Sequence, residues 1–285
     1  MKSAPKSVLI VGCGYIGLPL ARHFNARGWH VIGLTGSEPS AAGLSSEPFP
    51  VLGLDITKSL TRLQPRAFDV VIHCASSGRR GAEAYEALFL SGTRNLLSAL
   101  TINHFIFVSS TSVYGQTDGS WVNEESPADP SRQTGQMLHA AEEIVLEQQG
   151  TVARLAGIYG PGRCAPLRKL LDQTATIEGQ GERIMNLIHR DDAVSALFFL
   201  AEHDLTGIYN VTDNEPVSQL DWFRYVCGQL DRPLPPFGPR DLARKRGWTS
   251  KHVSNQRLRQ AGWKPRFETF REGLAPLLCQ VKSQS

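Results

Sequence analysis

Short apolar runs alternate with stretches of mixed polarity through the first half of the chain. The runs at 8–11, 30–34, 51–54, 69–74, 104–109 and 151–155 read as strands. The stretches at 18–27, 85–100 and 136–148 read as helices. Strands that alternate with helices imply βαβ units and a parallel sheet. Apolar residues occupy consecutive positions in these strands, as expected where helices cover both faces of the sheet. The fold class that follows is α/β, a doubly wound parallel sheet.

After about residue 160 the rhythm changes. Gly160-Pro161-Gly162 is a turn signal. Helical patterns follow at 165–172, 192–202 and 218–230, with short apolar pieces at 185–188 and 208–211. The proline-rich stretch 232–239 reads as a surface loop, because proline has no amide to donate. Segments 253–261 and 269–281 read as closing helices. The expected division is therefore a sheet domain over 1–160 and a smaller α/β lobe over 161–285, with part of the chain returning to the first sheet.

Composition adds little to this picture, but charge does. With 285 residues, 41% apolar and 20% charged, the chain has the make-up of an ordinary globular protein. Its five cysteines are scattered and form no C-x-x-C pair, which argues against a zinc cluster or a disulfide framework and for a reducing cytosol. Glycines and charges interrupt the first apolar run too early for a secretory leader, and no run reaches the ~18–20 apolar residues of a membrane span. A cytoplasmic protein is the expectation. Residues 232–271 hold eleven Lys/Arg against two Asp/Glu. That excess points to an anionic partner. Pro-rich loops interrupt any continuous basic face, so a phosphate-bearing small molecule, or simply a basic surface, is favoured over nucleic acid.

The sharpest motif is Gly12-Cys13-Gly14-Tyr15-Ile16-Gly17, a G-x-G-x-x-G directly after the first strand. Gly12 allows the tight turn, Gly14 lets backbone approach a pyrophosphate, and Gly17 allows close helix–sheet packing. A helix starting near Tyr15 would aim free N–H groups at the phosphates. A Rossmann-type, dinucleotide-binding first domain follows. At the end of the second strand Thr35 and Ser37 stand where an acid would select NAD or an arginine NADP. They can hydrogen-bond either ribose or simply cap a loop, so NAD and NADP both stay open.

Further motifs recur in order along the chain. They are Leu54-Asp55-Ile56, then Asp69-Val70-Val71-Ile72-His73-Cys74-Ala75-Ser76, then Gly92-Thr93-Arg94-Asn95-Leu96-Leu97, then Phe107-Val108-Ser109-Ser110-Thr111-Ser112-Val113-Tyr114-Gly115, then Arg154-Leu155-Ala156-Gly157-Ile158-Tyr159-Gly160-Pro161-Gly162, and finally Ile188-His189-Arg190-Asp191-Asp192-Ala193 and Gly262-Trp263-Lys264-Pro265. Together they resemble the extended short-chain dehydrogenase/reductase superfamily, in its NAD-dependent epimerase/dehydratase branch. The resemblance implies a cofactor site of Asp55 and Ile56 at the adenine and of Cys74, Ala75 and Ser76 beside the dinucleotide. It implies Ser110 as the residue that orients a substrate oxygen. Arg163, Arg168, Lys169 and Arg183 become contacts for a substrate diphosphate. A nucleotide sugar or a related carbonyl or hydroxyl compound is the implied substrate, and a homodimer through the helices near 85–100 and 136–148 the implied assembly.

One part of the pattern is missing. That chemistry uses a tyrosine as general acid/base and a lysine four residues on, one helical turn away on the same face. None of the six tyrosines here has a lysine at that spacing. In the matching run Thr134-Gly135-Gln136-Met137-Leu138-His139-Ala140-Ala141-Glu142, Thr134 takes the tyrosine position and Leu138 the lysine position. Phe89 stands where the family has asparagine, so Ser110 alone of the four remains. Tyr114 and His139 are the candidates for a displaced acid/base, with burial deciding whether Tyr114 is a packing residue. Arg154 is expected to anchor its own segment, and Asp191 and Asp192 to cap a helix. Two functions follow: an NAD(P)-dependent epimerase, dehydratase or oxidoreductase, or a non-catalytic NAD(P)-binding sensor or scaffold.

Overall fold

The structure is a computed structural model that describes residues 5–76, 78, 81–242 and 248–284. The basic triplet Arg244-Lys245-Arg246 lies outside the described residues. The chain divides into two compact units. The first holds Met1–Ser110, Gln133–Arg154 and Val194–Tyr209, and the second Thr111–Arg132, Leu155–Ala193 and Asn210–Ser285.

The first unit is organised by a seven-stranded sheet. Its strands are β1 (Ser7–Val11), β2 (His30–Thr35), β3 (Val51–Gly53), β4 (Ala67–His73), β5 (Thr101–Ser110), β6 (Thr151–Leu155) and β7 (Gly207–Val211), in the spatial order β7-β6-β5-β4-β1-β2-β3. The pairs β1–β2, β1–β4, β2–β3 and β4–β5 all run parallel. β1 is therefore flanked by β4 on one side and β2 on the other, and the strand order reverses beside it. Ligands of open α/β sheets bind outside the carboxyl ends of strands at such a reversal. Val8, Leu9 and Ile10 are fully buried, as is every residue of β6, which is what a sheet covered on both faces requires.

The expected strands are found within a few residues of their predicted ends. The helix expected over 85–100 is instead composite. An α-turn, Ala82–Tyr85, leads into a π-helical stretch, Glu86–Ser91, before the α-helix Gly92–Ala99.

The second unit holds short paired strands and helices around its own core, in which Trp222, Phe270, Ile177 and Val226 are buried. Two expectations change here. The stretch 232–239 is not wholly irregular, since Phe237–Gly238 pairs in parallel with Ile177–Glu178. Proline denies this segment donors but not acceptors, and Ile177 N–H donates to the Pro236 carbonyl at 2.9 Å. The closing helix expected over 253–261 shortens to Gln256–Gln260, because His252–Val253 pairs as a strand with Trp121–Val122.

Candidate functional site

The G-x-G-x-x-G loop leaves the carboxyl end of β1 as its glycines require. Gly12 has φ +98°, and a side-chain carbon there would come within 2.6 Å of the Ala75 backbone nitrogen. At Gly17 a side-chain carbon would run into the Gly12 carbonyl and lie 2.8 Å from Cys74 Sγ. By contrast, nothing stands within 4 Å of the place a side chain would take at Gly14. The helix Gly17–Ala26 begins two residues later than its predicted start, and no side chain caps it at Ile16. Amides of Gly12, Cys13 and Gly14 are already spent on Leu34 and Gly12 carbonyls. The open face at Gly14 and the uncapped helix end fit a pyrophosphate.

Residues around the loop are firmly held. Cys74 Sγ donates to the Gly12 carbonyl at 3.5 Å, and burial pushes the thiols of Cys74 and Cys13 up, the latter to about 12. Neither is a thiolate at neutral pH. Ser76 Oγ accepts from Gly78 N–H at 3.3 Å. Thr35 donates to the Ser37 carbonyl at 3.1 Å, and Ser37 Oγ accepts from Ser40 N–H as the N-cap of the helix Glu38–Ala42. Asp55 accepts the amide and hydroxyl of Thr57 at 3.0 and 2.7 Å. Ile56 is buried, and its carbonyl accepts from Asn95. Thr35, Ser37 and Asp55 thus each have a local structural partner.

In the same unit the helix Gln133–Glu147 carries Thr134, Leu138 and His139. Leu138 is buried, and Phe89 is buried on the π-helical stretch. His139 is partly exposed, with Nδ1 3.9 Å from Glu143 Oε1 one turn along. A residue from the same run has a larger role than its sequence suggested. Glu142 accepts from Ser109 Oγ at 2.5 Å and from Arg154 Nη2 at 2.6 Å, all inside the protein. Arg154 therefore joins β6 to this helix. His73 is fully enclosed, its Nε2 3.3 Å from the Leu88 carbonyl, and burial pulls it down to about 4.

In the second unit Tyr114 is completely buried, and its hydroxyl donates to Asn210 Oδ1 at 2.9 Å. Lys251 Nζ donates to the Tyr114 carbonyl at 2.7 Å. Arg183 has one side-chain nitrogen, Nε, without a hydrogen-bond partner, and Glu178 Oε2 lies 3.9 Å from it. Arg163 is exposed and bridges Gly160 through its backbone. Asp192 does more than begin a helix: its carboxylate accepts the amides of Arg266 and Phe267 at 2.6 and 3.1 Å. Asp213 is buried with Oδ2 unpartnered, and burial pushes its carboxyl up to about 8. Nothing local in the sequence marks Lys251, Asn210 or Asp213, because each owes its setting to residues distant in the chain. Among the described residues no group of three or more His, Cys, Asp or Glu is placed to hold a metal ion, and no helix is long and apolar enough to cross a membrane.

Comparison with known proteins gives a consistent picture. A model of the NAD dependent epimerase/dehydratase family matches residues 8–212. Protein YeeZ of Escherichia coli strain K12 is 34% identical over 225 residues, which cover 72% of this chain and 77% of that protein. A 3-diazoavenalumate denitrifying reductase of Streptomyces sp is 29% identical over 301 residues, covering 94% and 98%. Among solved structures, that of a candidate NAD-dependent epimerase/dehydratase from Methylobacillus flagellatus superimposes with a TM-score of 0.78 at 28% identity, covering 98% of this chain and all of the other.

Proposed function

The chain belongs to the NAD dependent epimerase/dehydratase family, and on that premise we propose that it binds NAD or NADP and acts as a reductase, epimerase or dehydratase. Its substrate is a nucleotide sugar or a related carbonyl or hydroxyl compound. The observation that carries this reading is the loop after β1, where Gly12 closes on Ala75 while the face at Gly14 stays open. Gly12 through Gly17 would receive the pyrophosphate, Thr35 and Ser37 the adenosine ribose, Asp55 and Ile56 the adenine, and Cys74, Ala75 and Ser76 the inner edge of the dinucleotide. Bound there, the nicotinamide would supply hydride chemistry. Identity to a reductase along nearly the whole chain favours reduction within this set.

The protein's own part is positioning. Ser110, at the carboxyl end of β5, orients a substrate oxygen. The Tyr114 hydroxyl is enclosed and already bonded to Asn210, which supports a packing role over acid/base work. His139 is partly exposed and is the better of the two as a displaced acid/base. Arg183 contributes a donor for an anionic group, with Arg163 beside the turn at Gly160. The test is a titration of purified protein with NADH and NADPH, followed by turnover assays with sugar nucleotides, small carbonyl compounds and diazo acids. Failure of both dinucleotides to bind overturns the proposal.

The second reading, a non-catalytic NAD(P)-binding sensor or scaffold, draws on Leu138 and Phe89. Both are buried apolar residues where the family's chemistry has polar ones. Dinucleotide binding without turnover across that panel favours it.

A further inference from the structure

The turn after β2 forms the adenosine end of the loop site. Thr35 ends the strand, and its hydroxyl donates to the Ser37 carbonyl at 3.1 Å. A side-chain carbon at Gly53 of β3 would run into the Glu38 nitrogen and lie 2.5 Å from the Ser37 carbonyl carbon. The turn is therefore pressed onto β3 and has little room to shift. At Gly36, by contrast, nothing stands within 4 Å of the place a side chain would take.

The side chains around that opening are two hydroxyls and one ion pair. Ser37 Oγ and Ser40 Oγ lie 2.9 Å apart, and one hydroxyl hydrogen serves the bond between them. The other is left to donate outward. Glu38 is the first acid after the strand, but its Oε1 already accepts from Arg62 Nη2 at 2.9 Å. Arg62 reaches it from the segment after β3, which the buried side chains of Leu60 and Leu63 pin to the interior. Both members of the pair are exposed. An acid that selects NAD stands at the end of the second strand and takes the ribose hydroxyls on a free carboxylate, which repels a 2′-phosphate. Here the carboxylate is neutralised by a guanidinium, the group that receives phosphate on two parallel N–H bonds.

We propose that the pair Arg62–Glu38 makes this an NADP-selective site, with Arg62 and the Ser37 and Ser40 hydroxyls receiving the adenosine 2′-phosphate beside Gly36. The proposal rests on the reading of the loop after β1 as a dinucleotide site and names the form of the dinucleotide it takes. The arginine stands 24 residues from the acid it pairs with, which is why the end of β2 alone carries neither signature. In the free protein Glu38 holds Arg62 at the opening and competes with the phosphate for it. An exposed pair of this kind is weak, and a phosphate monoester carries more charge than a carboxylate, so the phosphate wins the guanidinium. No covalent bond changes.

The experiment is calorimetric binding to the full chain of two matched pairs that differ only in the 2′-phosphate. One pair is adenosine 2′,5′-bisphosphate and 5′-AMP, the other NADPH and NADH. Wild type should bind the 2′-phosphorylated member of each pair about tenfold or more tightly than its partner, and the advantage should shrink in about 0.5 M salt. Arg62→Gln should lose that advantage while NADH and 5′-AMP stay within about twofold of wild type. Glu38→Gln frees Arg62 and should tighten NADPH roughly two- to fivefold without changing NADH. Melting temperatures of both variants should stay within a few degrees of wild type, because the pair is exposed, so a changed affinity reports the site and not the fold. Wild type that binds NADH as tightly as NADPH overturns the proposal, as does Arg62→Gln that weakens both dinucleotides alike or neither. In those cases the dinucleotide site stands and only its selectivity falls. If neither NADPH nor NADH binds wild type, the dinucleotide reading itself fails and the selectivity fails with it.

Discussion

The Arg154 guanidinium and the Glu142 carboxylate form an ion pair inside the first unit, Nη2 to Oε2 at 2.6 Å, with both side chains nearly free of solvent. The pair joins β6 to the helix Gln133–Glu147, and Ser109 on β5 donates to the same carboxylate. Two neighbouring strands and the helix over them thus share one buried charge pair. Buried pairs of this kind add little net stability over an apolar substitute, but the loss of one partner strands the other.

Glu142→Gln and Arg154→Met should each destabilise the protein by about 3–5 kcal/mol, because each leaves half of the pair uncompensated. The double variant Glu142→Leu/Arg154→Met should cost clearly less than the two singles added together. Urea unfolding of all three and of wild type measures the coupling.

Gly14 and Gly12 should respond differently to the same small change. Gly14→Ala meets open space, so its melting temperature should stay within a few degrees of wild type while dinucleotide affinity falls tenfold or more. Gly12→Ala should lose both, since φ is +98° and the new carbon meets Ala75. Thermal melts with and without NADH or NADPH separate the two outcomes.

His73 should set part of the acid limb of stability. Its folded pKa, about 4, lies below the unfolded value of 6.5. Between those values the unfolded chain binds the proton and the folded one does not, so stability falls as pH drops from about 6.5 to 4. His73→Leu should flatten that limb, on the order of 3 kcal/mol across the window. Chemical denaturation at pH 7 and pH 4.5 tests it.

Asp213 should act in the opposite direction. Burial raises its folded pKa from 3.8 to about 8, so between those values the folded state holds a proton that the unfolded state has released. Stability therefore falls as pH rises through this range, and Asp213→Asn should gain stability relative to wild type at pH 8 while differing little at pH 4. Parallel melts at the two pH values read this directly.

Tyr114→Phe removes the hydroxyl that bonds Asn210 and should cost roughly 1–2 kcal/mol. Any hydride exchange the protein performs should survive the change. Abolition of exchange with an intact fold would restore Tyr114 as an acid/base and exclude the non-catalytic reading.

The parts of this molecule that are legible in sequence are those with local causes. β1 announces itself through the unbroken apolar run Val8-Leu9-Ile10-Val11, and Gly12, Gly14 and Gly17 by their spacing after a strand. The π-helical stretch Glu86–Ser91 has no such mark, and the strand at His252–Val253 exists because Trp121–Val122 lies beside it. The site divides in the same way. That no tyrosine has a lysine four residues on can be read from plain sequence. Lys251 is one cation among eleven in a basic segment, and only its bond to the carbonyl of Tyr114, 137 residues earlier, sets it apart.

The interleaving of the two units bears on how the chain is made. The first unit draws its last helix and edge strand from residues after 193, and the second claims 111–132 before most of its own sequence exists. A chain emerging from the ribosome therefore cannot finish its first sheet until about residue 210 is out, and during that interval β6 waits with an unpaired edge. No single cut releases either unit as a contiguous fragment.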